Sequence, residues 1–172
     1  GGYDAHLNPA VTVGMAIAKN EYSKVVSYIT AQMIGAMLGA ITVWLFHLPH
    51  YARTEDKGAK RATFCTEPAI RSTGSNFFSE VLGTVVLLIG IKGIGAVTTG
   101  LGPFAVGILV WAIGLSLGGT TGYAINPARD LGPRIVHALM PIAGKGDSDW
   151  QYSWIPVAGP IVGAMIAGLL LL

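Results

Sequence analysis

His6–Thr12 reads HLNPAVT and Ile125–Leu131 reads INPARDL, so one short phrase occurs twice, 118 residues apart. Asparagine is a favoured helix N-cap, and the proline after it suits the first helical position, where its missing N–H costs nothing. Each phrase therefore predicts a helix start, one running from Pro9 to Ala18 and ending at Lys19-Asn20-Glu21, the other from Pro127 to roughly Met140. Both are well short of the roughly 20 residues that cross a bilayer.

Their surroundings are nevertheless those of a membrane protein. Of 172 residues 52% are hydrophobic and 12% charged, about half the charged share of a soluble domain. The 24 glycines and 9 prolines are spread through the apolar stretches, which membrane helices tolerate. Cys65 is the single cysteine, which excludes an internal disulfide framework and a cysteine-rich metal site. A net charge of +2, scattered along the chain, gives no basis for nucleic-acid binding. There is no signal-peptide pattern, no metal cluster and no Ser-His-Asp arrangement, so no cofactor is expected. The chain opens in mid-motif without an initiator methionine and reads as a fragment of something longer.

Apolar spans are expected at Lys24–Phe46, Phe77–Gly93, Phe104–Leu117 and Tyr152–Leu172. Gly35 and Gly39, four apart, have the small-residue spacing that lets helices approach closely. The polar stretch from His47 to Asn76 reads as a long loop outside the hydrocarbon, Gly93–Pro103 as a glycine-rich turn, and Gly144–Gln151 as a second polar loop. Trp44, Trp150 and Trp154 read as interface anchors, and Trp111 as deeper packing. His137 is placed near an interface.

The two phrases belong to a larger repeat, since GAML at Gly35–Leu38 echoes GAMI at Gly163–Ile166. Three spans separate Asn8 from Asn126, an odd number, so the second phrase enters from the opposite face. That is an inverted repeat, which puts a site near the midplane. A helix that stops halfway leaves amides that lipid cannot satisfy. Two such helices meeting N-terminus to N-terminus solve this together, with Pro9 against Pro127 at the junction.

The chemistry follows from that junction. Asn8 and Asn126 each offer an NH2 donor, held in direction if the amide oxygen caps its helix. Both helix dipoles present their positive ends, which favours a neutral hydroxyl over a cation. The segments before each helix, Tyr3–Leu7 (with His6 and Leu7) and Thr121–Ile125 (with Ala124 and Ile125), expose backbone carbonyls as a ladder of acceptors. Arg129, in a helical first turn, is read as a double donor and cation barrier; the plainer alternative is a side chain reaching to the headgroups. Asp130 compensates that charge or satisfies nearby amides. Glu80 is read as a buried acceptor for the amides before Pro127, the alternative being an interfacial glutamate.

Both boxes, HLNPAVT and GYAINPARDLGPR, resemble those of the major intrinsic proteins, the aquaporins and glycerol facilitators, and the similarity covers the whole chain. The resemblance implies an all-α membrane fold of six spans and two half-helices meeting at the midplane, in a homotetramer whose subunits each hold a pore. It implies one channel domain over residues 1–172 that lacks the first two spans: 1–46 ending the first repeat, 47–76 an extracellular loop, 77–172 the second repeat. It places the Asn8 box on the cytoplasmic side of a multi-pass cell-membrane protein. It assigns the narrowest point to Arg129, Tyr123 and Gly114, glycine leaving room where water-selective members have histidine. Tyr123 and Asp130 resemble the glycerol branch, although Tyr123 stands where phenylalanine is usual and Tyr3-Asp4-Ala5-His6 where Ser-Gly-Ala-His is usual.

The implied function is passive permeation of glycerol, other small uncharged solutes and water. A water-selective channel is the alternative. A coupled secondary transporter would also use broken helices. A membrane enzyme would have only Glu80, His137 and Asp130, on separate elements.

Overall fold

A computed structural model describes residues 5–97 and 100–172, which form eight helices and no strand. They are α1 (Pro9–Lys19), α2 (Val25–Phe46), α3 (Leu48–Arg53), α4 (Lys57–Ala62), α5 (Thr73–Val97), α6 (Gly102–Leu117), α7 (Pro127–Leu139) and α8 (Ile155–Leu170). Tyr3 and Asp4, the start of the first expected carbonyl ladder, lie outside the described residues.

Local chemistry sets the helix starts. Pro9 and Pro127 occupy the first turns of α1 and α7, with Asn8 and Asn126 as extended N-caps. Asn20 closes α1 in a left-handed conformation, its N–H donating to the carbonyls of Ala16 and Ile17. α2 and the stretch Thr73–Gly95 of α5 are long and apolar enough to cross a membrane, at 22 and 23 residues. α5 runs through Gly93, so the expected turn starts later, and Pro103 begins α6 instead of breaking it. α8 starts at Ile155, not Tyr152, with Pro156 in its first turn. α6 and α8 have 16 residues each and rise about 24 Å at 1.5 Å per residue, less than the roughly 30 Å of hydrocarbon.

Packing crosses the repeat. α1 lies on α8 and α2 on α7, so each short helix docks on the long helix of the opposite half. The crossings are matched residue for residue. A β-carbon at Gly14 would lie 3.0 Å from the Ala164 carbonyl oxygen, and one at Gly132 would lie 2.9 Å from Ala36 Cβ. Gly14 and Gly132 are each five residues after the motif proline, and Ala36 and Ala164 are the alanines of GAML and GAMI. The principal core joins Ala10 and Val11 of α1 to Leu87, Leu88, Ile113, Ile125, Ala164 and Ala167.

Three expectations change here. The stretch 47–76 contains α3 and α4 and folds back, with Tyr51, Phe64 and Cys65 buried against Val136 and Ile142. A β-carbon at Gly35 or Gly39 would meet nothing within 4 Å among the described residues, whereas one at Gly163 would lie 2.4 Å from the Val81 carbonyl oxygen. The small-residue spacing is thus used on α8 and leaves α2 with an open face. Trp111 is 63% exposed, so it faces outward. His137, at the C-terminal end of α7, is fully buried among protein groups, its Nδ1 2.8 Å from Ser148 Oγ and its ring edge-on to Phe64, which leaves its expected nearness to an interface as it was.

Candidate functional site at the half-helix junction

The two half-helices meet through their asparagines. Asn8 Oδ1 accepts the Ala10 N–H at 2.8 Å, and Asn126 Oδ1 accepts those of Ala128 and Arg129 at 3.0 and 3.2 Å. With the oxygens fixed as caps, the NH2 groups point across the junction. Asn8 Nδ2 donates to the Ile125 carbonyl at 2.7 Å, and Asn126 Nδ2 donates to the Leu7 carbonyl at 3.0 Å. Each asparagine thus binds the carbonyl of the residue just before the other. A carboxamide has two N–H donors, so one proton on each remains for a guest. Asn8 is buried at 7% exposure and Asn126 is half-buried, so Asn126 presents the more open donor.

Glu80 supports the second of these segments. Fully buried in α5, it accepts the Thr121 hydroxyl at 2.6 Å and the Ala124 N–H at 3.0 Å on one oxygen, and the Ile125 N–H at 2.7 Å on the other. The backbone it holds is strained: φ is +39° at Tyr123 and +40° at Ile125, beside Gly122 at +72°. A β-branched residue in the left-handed region is a genuine outlier. The Ala124 and Ile125 side chains are buried, at 1% and 5% exposure. These two can therefore face a guest only through their backbone, the part of them that the carbonyl ladder uses. The first ladder is likewise partly engaged, for Gln32 Nε2 donates to the His6 carbonyl at 2.8 Å and to Thr12 Oγ1 at 2.9 Å.

An open groove of about 490 Å³ runs past this junction, lined among others by His6, Leu7, Gln32, Gly35, Asn126 and Arg129. Arg129 is exposed along it. Tyr123 and Gly114 are not part of its wall as it stands. A β-carbon at Gly114 would lie 2.8 Å from Tyr123 Cζ. The room left by Gly114 is filled by the Tyr123 ring, not left for a solute.

Asp130 does not compensate Arg129. It is fully buried and pairs with Arg134 one turn on, at 2.9 Å, while its second oxygen accepts the Thr66 N–H and hydroxyl at 2.7 and 2.6 Å. Arg134, also fully buried, further donates to the carbonyls of Thr66, Ser148 and Asp149. Sequence reading missed Arg134 and Thr66. The i,i+4 spacing of Asp130 and Arg134 was the available signal for the first; nothing local marks the second, 64 residues away. Among the described residues no group of three or more His, Cys, Asp or Glu side chains is placed to hold a metal.

Comparison with known proteins agrees with this geometry. The glycerol uptake facilitator protein of Streptococcus pneumoniae is 57% identical over 168 residues, covering 96% of this chain and 72% of that protein. Glycerol uptake facilitator protein 3 of Lactiplantibacillus plantarum is 57% identical over 169 residues, with 96% and 70% covered. The X-ray structure of the aquaglyceroporin from Plasmodium falciparum superposes with a TM-score of 0.81 at 28% identity, covering 96% of this chain and 70% of that one. The family described as major intrinsic protein matches residues 3–171. Paired Asn-caps, swapped half-helices and this match together make the chain a member of the major intrinsic protein family, whose glycerol facilitators are integral membrane proteins.

Proposed function

We propose that this chain forms a passive channel for glycerol and other small uncharged solutes, with water passing alongside. The observation that carries the reading is the reciprocal asparagine clasp beside an Arg129-lined groove. It leaves one N–H donor on each asparagine, with a guanidinium along the same groove, and the two helix N-termini at the junction add positive potential of roughly +0.5 charge each. A polyol hydroxyl accepts from the amides and donates to backbone carbonyls. A cation finds repulsion instead: one unit charge about 4 Å away costs about 4 kcal/mol at an effective dielectric of 20. That alone is roughly a thousandfold exclusion. No bond is made or broken in this account, so no catalytic group is assigned.

In this reading residues 1–46 close the first repeat, 77–172 form the second, and 47–76 cap the outer side. The protein works as a homotetramer, multi-pass in the cell membrane. The exposed apolar row Phe104, Ile108, Trp111 and Leu115 on α6 supports burial against lipid or sister subunits. The facilitator relatives support glycerol as the solute.

Stopped-flow light scattering of proteoliposomes holding the full-length protein tests it. Glycerol influx well above that of empty liposomes, independent of any ion gradient, is expected. Water flux with background glycerol flux would favour the water-selective alternative, and dependence on a gradient a coupled transporter.

A further inference from the structure

The stretch 63–72 is tied to both sides of the residues assigned to the narrow point, and one residue, Thr66, makes most of the ties through its backbone and side chain together. Thr66, 5% exposed, donates its N–H and hydroxyl to one oxygen of Asp130 and accepts from Arg134 Nη2 at 2.8 Å. On its other side its methyl carbon would lie 3.3 Å from a β-carbon at Gly122. Three residues on, the Ala69 N–H donates to the Thr120 carbonyl at 3.0 Å. Arg71 pairs with Asp149, whose carbonyl accepts from Arg134. Asp130 follows Arg129 directly, and Gly122 precedes Tyr123. One threonine therefore bonds to the residue after Arg129 and fills the space that a side chain at Gly122, the residue before Tyr123, would need.

We propose that Thr66 is a positioning residue for solute selection: it sets the separation of Arg129 and Tyr123 by holding Asp130 and Gly122 against the outer loop. This rests on the channel reading above. The physical argument is one of fixed distance. Asp130 sits on α7 and Gly122 on the irregular segment before it, and Thr66 lies between them, with hydrogen bonds on one face and its methyl occupying the space over Gly122 on the other. The hydroxyl-to-carboxylate bond is charge-assisted and short, the stronger class of hydrogen bond. Removing it loosens the bridge and leaves the fold, because Asp130 keeps the Thr66 N–H and the Arg134 guanidinium.

Thr66→Val keeps the side-chain shape and removes the hydroxyl; Thr66→Ser keeps the hydroxyl and removes the methyl. Per inserted full-length protein, water and glycerol permeabilities are measured for wild type and both variants, with hydrogen exchange of the 63–72 peptide followed alongside. The expected result is a change of about threefold or more in the water-to-glycerol ratio for Thr66→Val, a smaller change for Thr66→Ser, and faster exchange in the valine variant. A merely structural role would lower both permeabilities in proportion, and that result, or an unchanged ratio, overturns the proposal while wild-type glycerol flux keeps the channel reading. Absence of glycerol flux in wild type overturns both.

Discussion

Replacing Glu80 with glutamine tests how the strained segment before Pro127 is held. The carboxylate accepts three bonds on two oxygens: Thr121 and Ala124 on one, Ile125 on the other. Glutamine has one oxygen. If it serves Thr121 and Ala124, its NH2 faces the Ile125 N–H, donor against donor; reversed, it faces the other two. At least one buried amide is orphaned, at about 1–3 kcal/mol, and the remaining bonds drop from the charge-assisted to the neutral class, about 1 kcal/mol less each. The total, about 2–5 kcal/mol, matches the strain it opposes, since positive φ at Tyr123 and Ile125 costs about 1–3 kcal/mol each. The segment then relaxes, and the Ile125 carbonyl leaves Asn8. Stopped-flow glycerol uptake by Glu80→Gln, normalised to inserted protein, is expected to fall about tenfold or more, with a lower melting temperature in detergent. Flux within twofold of wild type would refute the reasoning.

Three further outcomes are expected. Gly114→Ala places a methyl 2.8 Å from Tyr123 Cζ and forces the ring to move, so glycerol and water fluxes both change, glycerol more; equal effects count against a filter at this pair. Arg129→Val keeps solute flux but raises cation leak in conductance measurements, and an unchanged leak removes its barrier role. Cys65 is 2% exposed and burial pushes its thiol up to about 12, leaving a thiolate share of about 1 in 10⁴ at pH 8. Maleimide is expected to label it only after denaturation, and prompt labelling of the native protein contradicts its burial.

What the sequence disclosed was local or repeated. Asparagine before proline specifies a cap and a first turn by chemistry within four residues, so both half-helices are legible. The echo of GAML in GAMI carries the helix crossings, because Ala36 and Ala164 meet glycines placed alike in α7 and α1. Less accessible was what each polar group binds at long range. The asparagine NH2 groups reach carbonyls 117 and 119 residues away; Asp130 turns from its neighbour Arg129 towards Arg134 and Thr66. Side-chain direction along a helix decides that last choice: positions four apart share a face, and adjacent ones do not. A glycine at 114 leaves room, and only the folded chain shows what occupies it: the Tyr123 ring, on a backbone of positive φ. Trp111 lies deep in α6 yet is exposed, because depth along a helix says nothing about which way a side chain faces.

The most direct test of the junction is a density map of the full-length protein in lipid nanodiscs with glycerol present. The account predicts α1 and α7 ending at mid-bilayer, with Asn8 and Asn126 each bonded to the carbonyl preceding the other and glycerol in single file past Asn126 and Arg129. Asparagines lying apart, either short helix crossing the bilayer, or glycerol ordered along a different route would contradict it.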